Sequence, residues 1–455
     1  MKSSCCLLAL LWVTSVAATP TIDRSIYSSL ANGNPVRVMV LFDLPEPVSH
    51  TAVDQRAERL AAVAKSTDEV LAYAGPGFQL THRFQLLSAM AGYLDRPALD
   101  RLAAHPRVRS ISVDGGGKLS ISSPPLGLEA AQDMAAEHWD IDSSDIKVVV
   151  MDSGIDAGHA DFAGALVAEG CFCANPKGNC CPNGQPTQFG PGSAADDHGH
   201  GTWVSSNILG RGNVARPGTV PGASLVSIKV LDAKNSLVGS ADITAAFDWI
   251  AVNHPDANVV NVSLGSMTTS AIECDGLELA WVRAMRDAVQ AVTANDTLII
   301  ASSGNQGDAN GMEVPSCLSD VVSVGATWRE DAVGSFFSYC PAPQVDPRRD
   351  DVACFSNSSA HLDILAPGVM MDAAALGGGT ISGISGTSFA APVVAGCAAL
   401  IRAARPDLPW TEVRRLITAS PVMVTDARTG RTSPRLDCGH TMESLMTELK
   451  FASRD

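Results

Sequence analysis

The segment Gly386-Thr387-Ser388-Phe389-Ala390-Ala391-Pro392 runs into Val393-Val394-Ala395-Gly396-Cys397-Ala398-Ala399-Leu400, an apolar stretch without a single charge. That run reads as a buried helix. Ser388 would lie in its first turn, among small residues and beside backbone N–H groups that have no partner within the helix. The positive end of the helix then stabilises negative charge developing next to the hydroxyl. Serine alone is a weak nucleophile, so the segment carries chemistry only if a histidine base and an orienting carboxylate lie elsewhere in the chain.

Both occur upstream. The histidine lies in Asp196-Asp197-His198-Gly199-His200-Gly201-Thr202-Trp203-Val204-Ser205-Ser206. The carboxylate is Asp152, at the end of the strand-like run Lys147-Val148-Val149-Val150-Met151 and ahead of Ser153-Gly154-Ile155-Asp156. In open α/β sheets catalytic groups gather at the carboxyl ends of strands, which suits Asp152, whereas Asp156 and Asp161 suit capping roles. With the order Asp, His, Ser and these three signature segments, nearly the whole chain after its first residues resembles the subtilisin-like serine proteases.

The resemblance implies roles residue by residue. Only His200 is followed by Gly-Thr and then an apolar helix, so His200 is expected as the base and His198 as a solvent-facing loop residue. Asp152 should orient the imidazole and Ser388 should attack the substrate carbonyl. Leu298-Ile299-Ile300-Ala301-Ser302-Ser303-Gly304-Asn305-Gln306-Gly307 is a strand entering a glycine-flanked asparagine, which resembles the family's oxyanion-hole segment. Asn305 would donate there through its side chain, together with the Ser388 N–H. Ser263-Leu264-Gly265, after the strand Val259-Val260-Asn261-Val262, resembles the segment that pairs with an extended substrate and forms one wall of its P1 pocket, and Ser303 and Gly304 are expected to bind substrate as well. Gln306 is neutral, and no acidic cluster marks the pocket, so apolar P1 residues are expected. Trp203 and Ser205-Ser206 depart from the family pattern at positions that affect packing and substrate walls more than chemistry.

Composition sets the class. A chain of 455 residues that is 46% hydrophobic builds a sizeable core. Its net charge of −16 argues against a nucleic-acid partner. Met1-Lys2, an apolar stretch from Cys5 to Val13 and the small residues Val16-Ala17-Ala18 predict a signal peptide over residues 1–18, hence a secreted or extracytoplasmic protein. The stretch falls far short of the roughly 20 residues that span a bilayer, so no membrane anchor is expected. Ten cysteines follow it, which in an exported chain favours disulfides. The spacing Cys171-x-Cys173 with adjacent Cys180-Cys181 disfavours a zinc site. Cys274 with Cys317 and Cys340 with Cys354 are plausible pairs, and Cys397 is expected as a free core residue.

Residues 19–118 read as a small α+β, ferredoxin-like unit. Strands are expected at 36–42, 78–84, 88–94 and 107–113, helices at 51–74 and 97–104, and a flexible exit at Gly115-Gly116-Gly117. This order resembles the inhibitor-type propeptides of the family, which implies a zymogen held by its own propeptide and cut between Asp114 and Pro124. Residues 119–455, ending in a short tail, read as a three-layer α/β peptidase domain with a mainly parallel sheet. Its strands are expected at 146–151, 225–230, 259–263, 298–301, 321–324 and 362–365, and its helices near 200–210, 240–253, 277–294, 388–404 and 410–419. The insertions at 171–193 and 340–354 read as disulfide-stapled surface loops.

The resemblance implies structural calcium, although no D-x-D-x-D-G loop occurs, and no cofactor is needed for the chemistry. Asn261, Asn295 and Asn357 fall in N-x-S/T triplets. The expected protein is a secreted, autoprocessed serine endopeptidase acting on proteins or peptides. The rival readings are a narrow-specificity maturation protease and a catalytically silent binding protein on the same fold.

Overall fold

The computed structural model describes residues 20–31, 33–115, 117–118, 139, 141–175, 178–266, 268–332, 336–337, 340 and 344–452. The residues of the expected signal peptide, and most of the expected processing segment, lie outside the described residues.

The first unit contains β1 (Thr21–Ile22), α1 (Arg24–Leu30), β2 (Val36–Phe42), α2 (Arg56–Ala74), β3 (Phe78–Arg83), β4 (Ala89–Leu94), α3 (Arg96–Ala104) and β5 (Val108–Val113). Its sheet runs β1-β5-β2-β4-β3, with every pair antiparallel except β1 with β5. From β2 onward this is the split β-α-β topology of ferredoxin-like folds, as expected. β1 and α1 were not anticipated.

The larger unit contains β6 (Lys147–Asp152), β7 (Leu166–Phe172), β8 (Thr187–Phe189), α4 (His200–Leu209), β9 (Ser224–Lys229), α5 (Ser240–Asn253), β10 (Val259–Val262), α6 (Ala280–Thr293) and β11 (Leu298–Ser302). It continues with β12 (Val321–Trp328), β13 (Ile364–Val369), β14 (Met371–Ala375), β15 (Gly379–Ile384), α7 (Thr387–Ala404), α8 (Trp410–Thr418) and α9 (Cys438–Ala452). Its main sheet has the order β13-β12-β11-β10-β6-β9-β7-β8 and is parallel except at the β7–β8 edge.

Strands buried on both faces explain the continuous apolar runs. Val148 and Val150 of β6 and Leu298 and Ile300 of β11 face a core shared with α4 and α7. The alternate residues Val149, Met151, Ile299 and Ala301 face the core shared with α5 and α6. Helix α7 is long and apolar enough to cross a membrane, but 83% of it is buried inside the fold, so its apolarity belongs to the core.

The first unit closes over the α5–α6 layer. In β2 and β4, Val38, Val40 and Met90 pack on the unit's own helices, whereas Met39, Ala89 and Ala91 join the core of α5 and α6. Polar groups fix the docking. Asp248 on α5 accepts the N–H groups of Gln85 (2.5 Å) and Leu86 (2.7 Å), and burial pushes its carboxyl up to about 6 against their pull. Asp114 caps the start of α5 by accepting from Ser240 Oγ (2.5 Å) and the Ala241 N–H (2.9 Å). Arg37 joins Asp114 (2.6 Å) to Asp242 (3.2 Å), and its Nη1 donates to the Ala174 carbonyl (2.5 Å). The 171–193 insertion therefore touches the first unit as well as carrying cysteines. The exit is tied down where a flexible one was expected: Gly117 and Lys118 pair antiparallel with Leu237 and Ser236.

Disulfides join Cys171–Cys181, Cys173–Cys180, Cys274–Cys317, Cys340–Cys354 and Cys397–Cys438. The last corrects the expectation of a free Cys397. The region after α8 forms α9 rather than a loose tail, and Cys438, Met442 and Leu445 fold back onto the core around α7. Removing that bridge, whose cysteines are 41 residues apart in sequence, should cost about 2–4 kcal/mol. Urea unfolding of Cys397→Ala/Cys438→Ala against its parent, both carrying Ser388→Ala to prevent self-digestion, would measure it.

Candidate active site

Parallel pairing sets the site. Val262 of β10 is level with Met151 of β6 and Ala301 of β11, so the residues after these three strands emerge side by side at their carboxyl ends. There the structure assembles Asp152, Ser263-Leu264-Gly265 and Ser303-Gly304-Asn305.

Asp152 is fully buried, and its Oδ1 lies 2.7 Å from Nδ1 of His200, the first residue of α4. The same oxygen accepts the Ser153 N–H at 2.7 Å. A carboxylate there favours the tautomer with hydrogen on Nδ1 and leaves Nε2 with its lone pair free to accept a proton. The imidazole packs against the rings of Phe389 (5.4 Å between centroids) and Trp203 (6.1 Å). Glycine is required at the next position: a Cβ on Gly201 would lie 2.2 Å from the Gly154 carbonyl oxygen.

Asp196 holds these two loops together, a role the sequence reading missed. Its Oδ1 accepts from Ser153 Oγ (2.9 Å) and from the N–H groups of His198 (3.0 Å) and Gly199 (2.8 Å). Its Oδ2 accepts the N–H (3.0 Å) and hydroxyl (2.6 Å) of Thr202, and Ser153 Oγ in turn accepts the Gly201 N–H (2.8 Å). Burial alone would raise the Asp196 carboxyl, but these donors, Thr202 foremost, hold it below the usual range. Lys229, fully buried at the end of β9, was also missed, and its Nζ donates to the Ser153 carbonyl (2.9 Å) and Asp197 (2.6 Å).

His198 is half-buried rather than solvent-facing, and its ring lies tilted against Trp203 with centroids 5.9 Å apart. Burial lowers its pKa, and the neighbouring His200 adds to the effect.

Ser388 is the second residue of α7. Pro392, four residues on, has no N–H, so the Ser388 carbonyl lacks its helical donor. Ser263 Oγ donates to it instead at 2.8 Å, while accepting from Asn261 Nδ2 at 2.9 Å. The Ser388 hydroxyl donates to the Ser263 carbonyl at 3.0 Å, and among the described residues it makes no hydrogen bond to His200. Asn305 Oδ1 accepts the Thr387 N–H (2.8 Å) and hydroxyl (2.9 Å), which fixes the amide. Its Nδ2 faces Gly386, 3.5 Å from where a Cβ would stand. The Gly304 N–H meets the Thr387 hydroxyl at 3.3 Å, and Leu264 is buried in the core shared with α5 and α6.

Asn261 and Asn357 are fully buried, so those triplets are closed in the folded chain. Asn357 is a structural residue, accepting the N–H groups of Gln306 (3.1 Å) and Asp308 (2.9 Å). Among the described residues no three His, Cys, Asp or Glu side chains converge to hold a metal, and no calcium site is assigned.

A doubly covered parallel sheet with a buried Asp–His pair at its strand ends and a serine at the start of a core helix is the architecture of a serine peptidase. The chain belongs to the subtilase family, whose model matches residues 143–440, and is a subtilisin-like serine endopeptidase. It is 29% identical over 382 residues to an alkaline protease of Alkalihalobacillus alcalophilus, covering 83% of each chain. It is 30% identical over 337 residues to alkaline elastase YaB of a Bacillus species, covering 74% of each. The crystal structure of fervidolysin from Fervidobacterium pennivorans, a keratinolytic enzyme related to subtilisin, superposes with a TM-score of 0.64 at 18% identity. That match covers 90% of this chain and 61% of fervidolysin, and bears on the fold.

Replacing Asp196 by Ala strands buried donors on both loops and should lower stability by about 2–4 kcal/mol in a Ser388→Ala background, measured by urea unfolding. Because the folded pKa is depressed, that contribution is full above about pH 4 and disappears as the pH falls through the folded value, so the gap between parent and variant should close in acid.

Proposed function

We propose that this protein is a secreted serine endopeptidase made as a self-processing zymogen, with Asp152, His200 and Ser388 as its catalytic triad. The observation that carries this reading is the Asp152–His200 hydrogen bond of 2.7 Å at the strand ends where the first turn of α7 presents Ser388. For catalysis the Ser388 hydroxyl leaves the Ser263 carbonyl and gives its proton to His200 Nε2 as the oxygen attacks the scissile carbonyl. The imidazolium, held by Asp152, returns the proton to the leaving amine, and water then releases the acyl-enzyme by the same route. Asn305 Nδ2 and the Ser388 N–H are the donors for the tetrahedral oxyanion. The amide is already oriented by Thr387, so it pays no reorganisation cost when charge develops.

Residues 19–118 are the propeptide and residues 1–18 the signal peptide in this reading. The capped, apolar docking of the first unit on α5 and α6 supports it, as does the pairing of Gly117–Lys118 with Ser236–Leu237, which directs the chain along the larger unit as an added strand. Five disulfides support an oxidising compartment.

Ser388→Ala, expressed in a host lacking other proteases, should accumulate as the uncut proprotein with no activity on casein, read by mass spectrometry and a digest. Wild-type-like trimming of that variant would refute self-processing. Replacing His200 by Ala should lower kcat by about 10⁴ or more, whereas His198→Ala should change it little. A single casein or peptide-library assay also separates broad, narrow and absent cleavage.

A further inference from the structure

We infer that the seam between the two units holds a binding site for a fatty acid, with Arg59 as the partner of its carboxylate. A cleft of about 680 Å³ opens at this seam, inside the roughly 300–1,000 Å³ of small-molecule sites. None of the residues that line it belongs to the site around Ser388. Its apolar walls come from both units, with Leu44, Pro45, Pro47, Val48 and Leu87 on one side and Ala284 of α6 on the other.

Arg59, on α2, lines the same cleft and is 8% exposed. Its Nε donates to the Leu86 carbonyl at 2.6 Å, its Nη1 to the Val48 carbonyl, and its Nη2 to Ser88 Oγ at 3.2 Å. All three acceptors are neutral. A guanidinium has five N–H groups, so these bonds leave one N–H on each terminal nitrogen, the fork that a carboxylate accepts from. Asp287 and Asp248 act on Arg59 only through space, and burial lowers its pKa in spite of them. The other charges that line the cleft have partners in contact: Arg109 pairs with Asp43, Arg283 with Glu278 at 3.1 Å, and Asp287 with Arg286 at 3.1 Å. Among the described residues Arg59 is therefore the one lining charge without a counter-ion in contact, and a buried cation in that state favours an anion.

The backbone around the cleft decides what the rest of the ligand is made of. Leu41 pairs with Ala89 across the sheet, and the N–H groups of Phe42 and Asp43 donate to the carbonyls of Ser88 (3.0 Å) and Arg107 (2.8 Å). A peptide would find these groups taken and would bury its own N–H and C=O groups at a cost. An alkyl chain has none to lose and covers its surface on the leucines and prolines. Because the walls belong to both units, a ligand that fills the cleft also favours their docked arrangement.

The test is isothermal titration of the full Ser388→Ala chain, checked to be uncut by mass spectrometry, with decanoate. Decanol, acetate and N-acetyl-leucyl-leucine serve as comparators. Decanoate should bind roughly tenfold or more tighter than decanol, which lacks the charge, and than acetate, which lacks the chain. Arg59→Gln should abolish the preference for decanoate over decanol. Arg59 also supports Val48 and Leu86, so a second variant leaves it intact: Leu44→Trp, which fills the cleft from its rim, should weaken decanoate roughly tenfold or more. Failure of decanoate to bind, equal binding of decanoate and decanol, or unchanged decanoate binding in Leu44→Trp would each overturn the site. Tighter binding of N-acetyl-leucyl-leucine than of decanoate would overturn the fatty acid as its ligand in favour of a peptide C-terminus.

Discussion

The parallel register of β6, β10 and β11 is the constraint on which the site depends. Because these strands end level, three loops that are far apart in sequence emerge at one height, and only short extensions are needed to reach Ser388. A slip by one residue in any of them would also exchange the two apolar faces of that strand, so the two cores enforce the register that the site uses. Catalytic geometry and core packing are thus set by the same pairing.

The loops themselves are held by buried polar contacts. Asp196 satisfies donors on both sides of the Asp152–His200 pair, and Ser263 supplies the donor that Pro392 withholds from the Ser388 carbonyl. These contacts replace the helical and sheet hydrogen bonds that the backbone loses where it turns toward the site. The first unit follows the same logic on a larger scale. Asp114 and Asp248 satisfy N–H groups at the seam, while Met39, Ala89 and Ala91 complete the core beneath.

The strands and helices that carry Asp152, His200, Asn305 and Ser388 were legible because each combines a local pattern with a signature residue: an apolar run ending in aspartate, His-Gly-Thr before a helix, a glycine-flanked asparagine. Both faces of these elements are buried, so hydropathy alone marks them. Asp196, Lys229 and Asn357 were not legible in the same way. Each acts through partners that topology supplies, and nothing adjacent in sequence distinguishes a buried hub from a loop carboxylate or amide. Cys397 was misread because its partner begins a helix beyond the antiparallel pair of Met423–Thr425 with Thr432–Pro434, and an apolar neighbourhood suits a bridged cysteine as well as a free one. Helix α9 has a mixed surface that does not repeat the strong apolar pattern of α7, and so it passed for a tail.

The Cys397–Cys438 bridge also orders events in time. It ties the helix that carries Ser388 to a helix made dozens of residues later, so during synthesis the first helix exists before its covalent anchor can form. The anchor forms only after Cys438 has emerged and met an oxidant. Full consolidation of the helix behind Ser388 is therefore coupled to the emergence of Cys438 and to the supply of an oxidant.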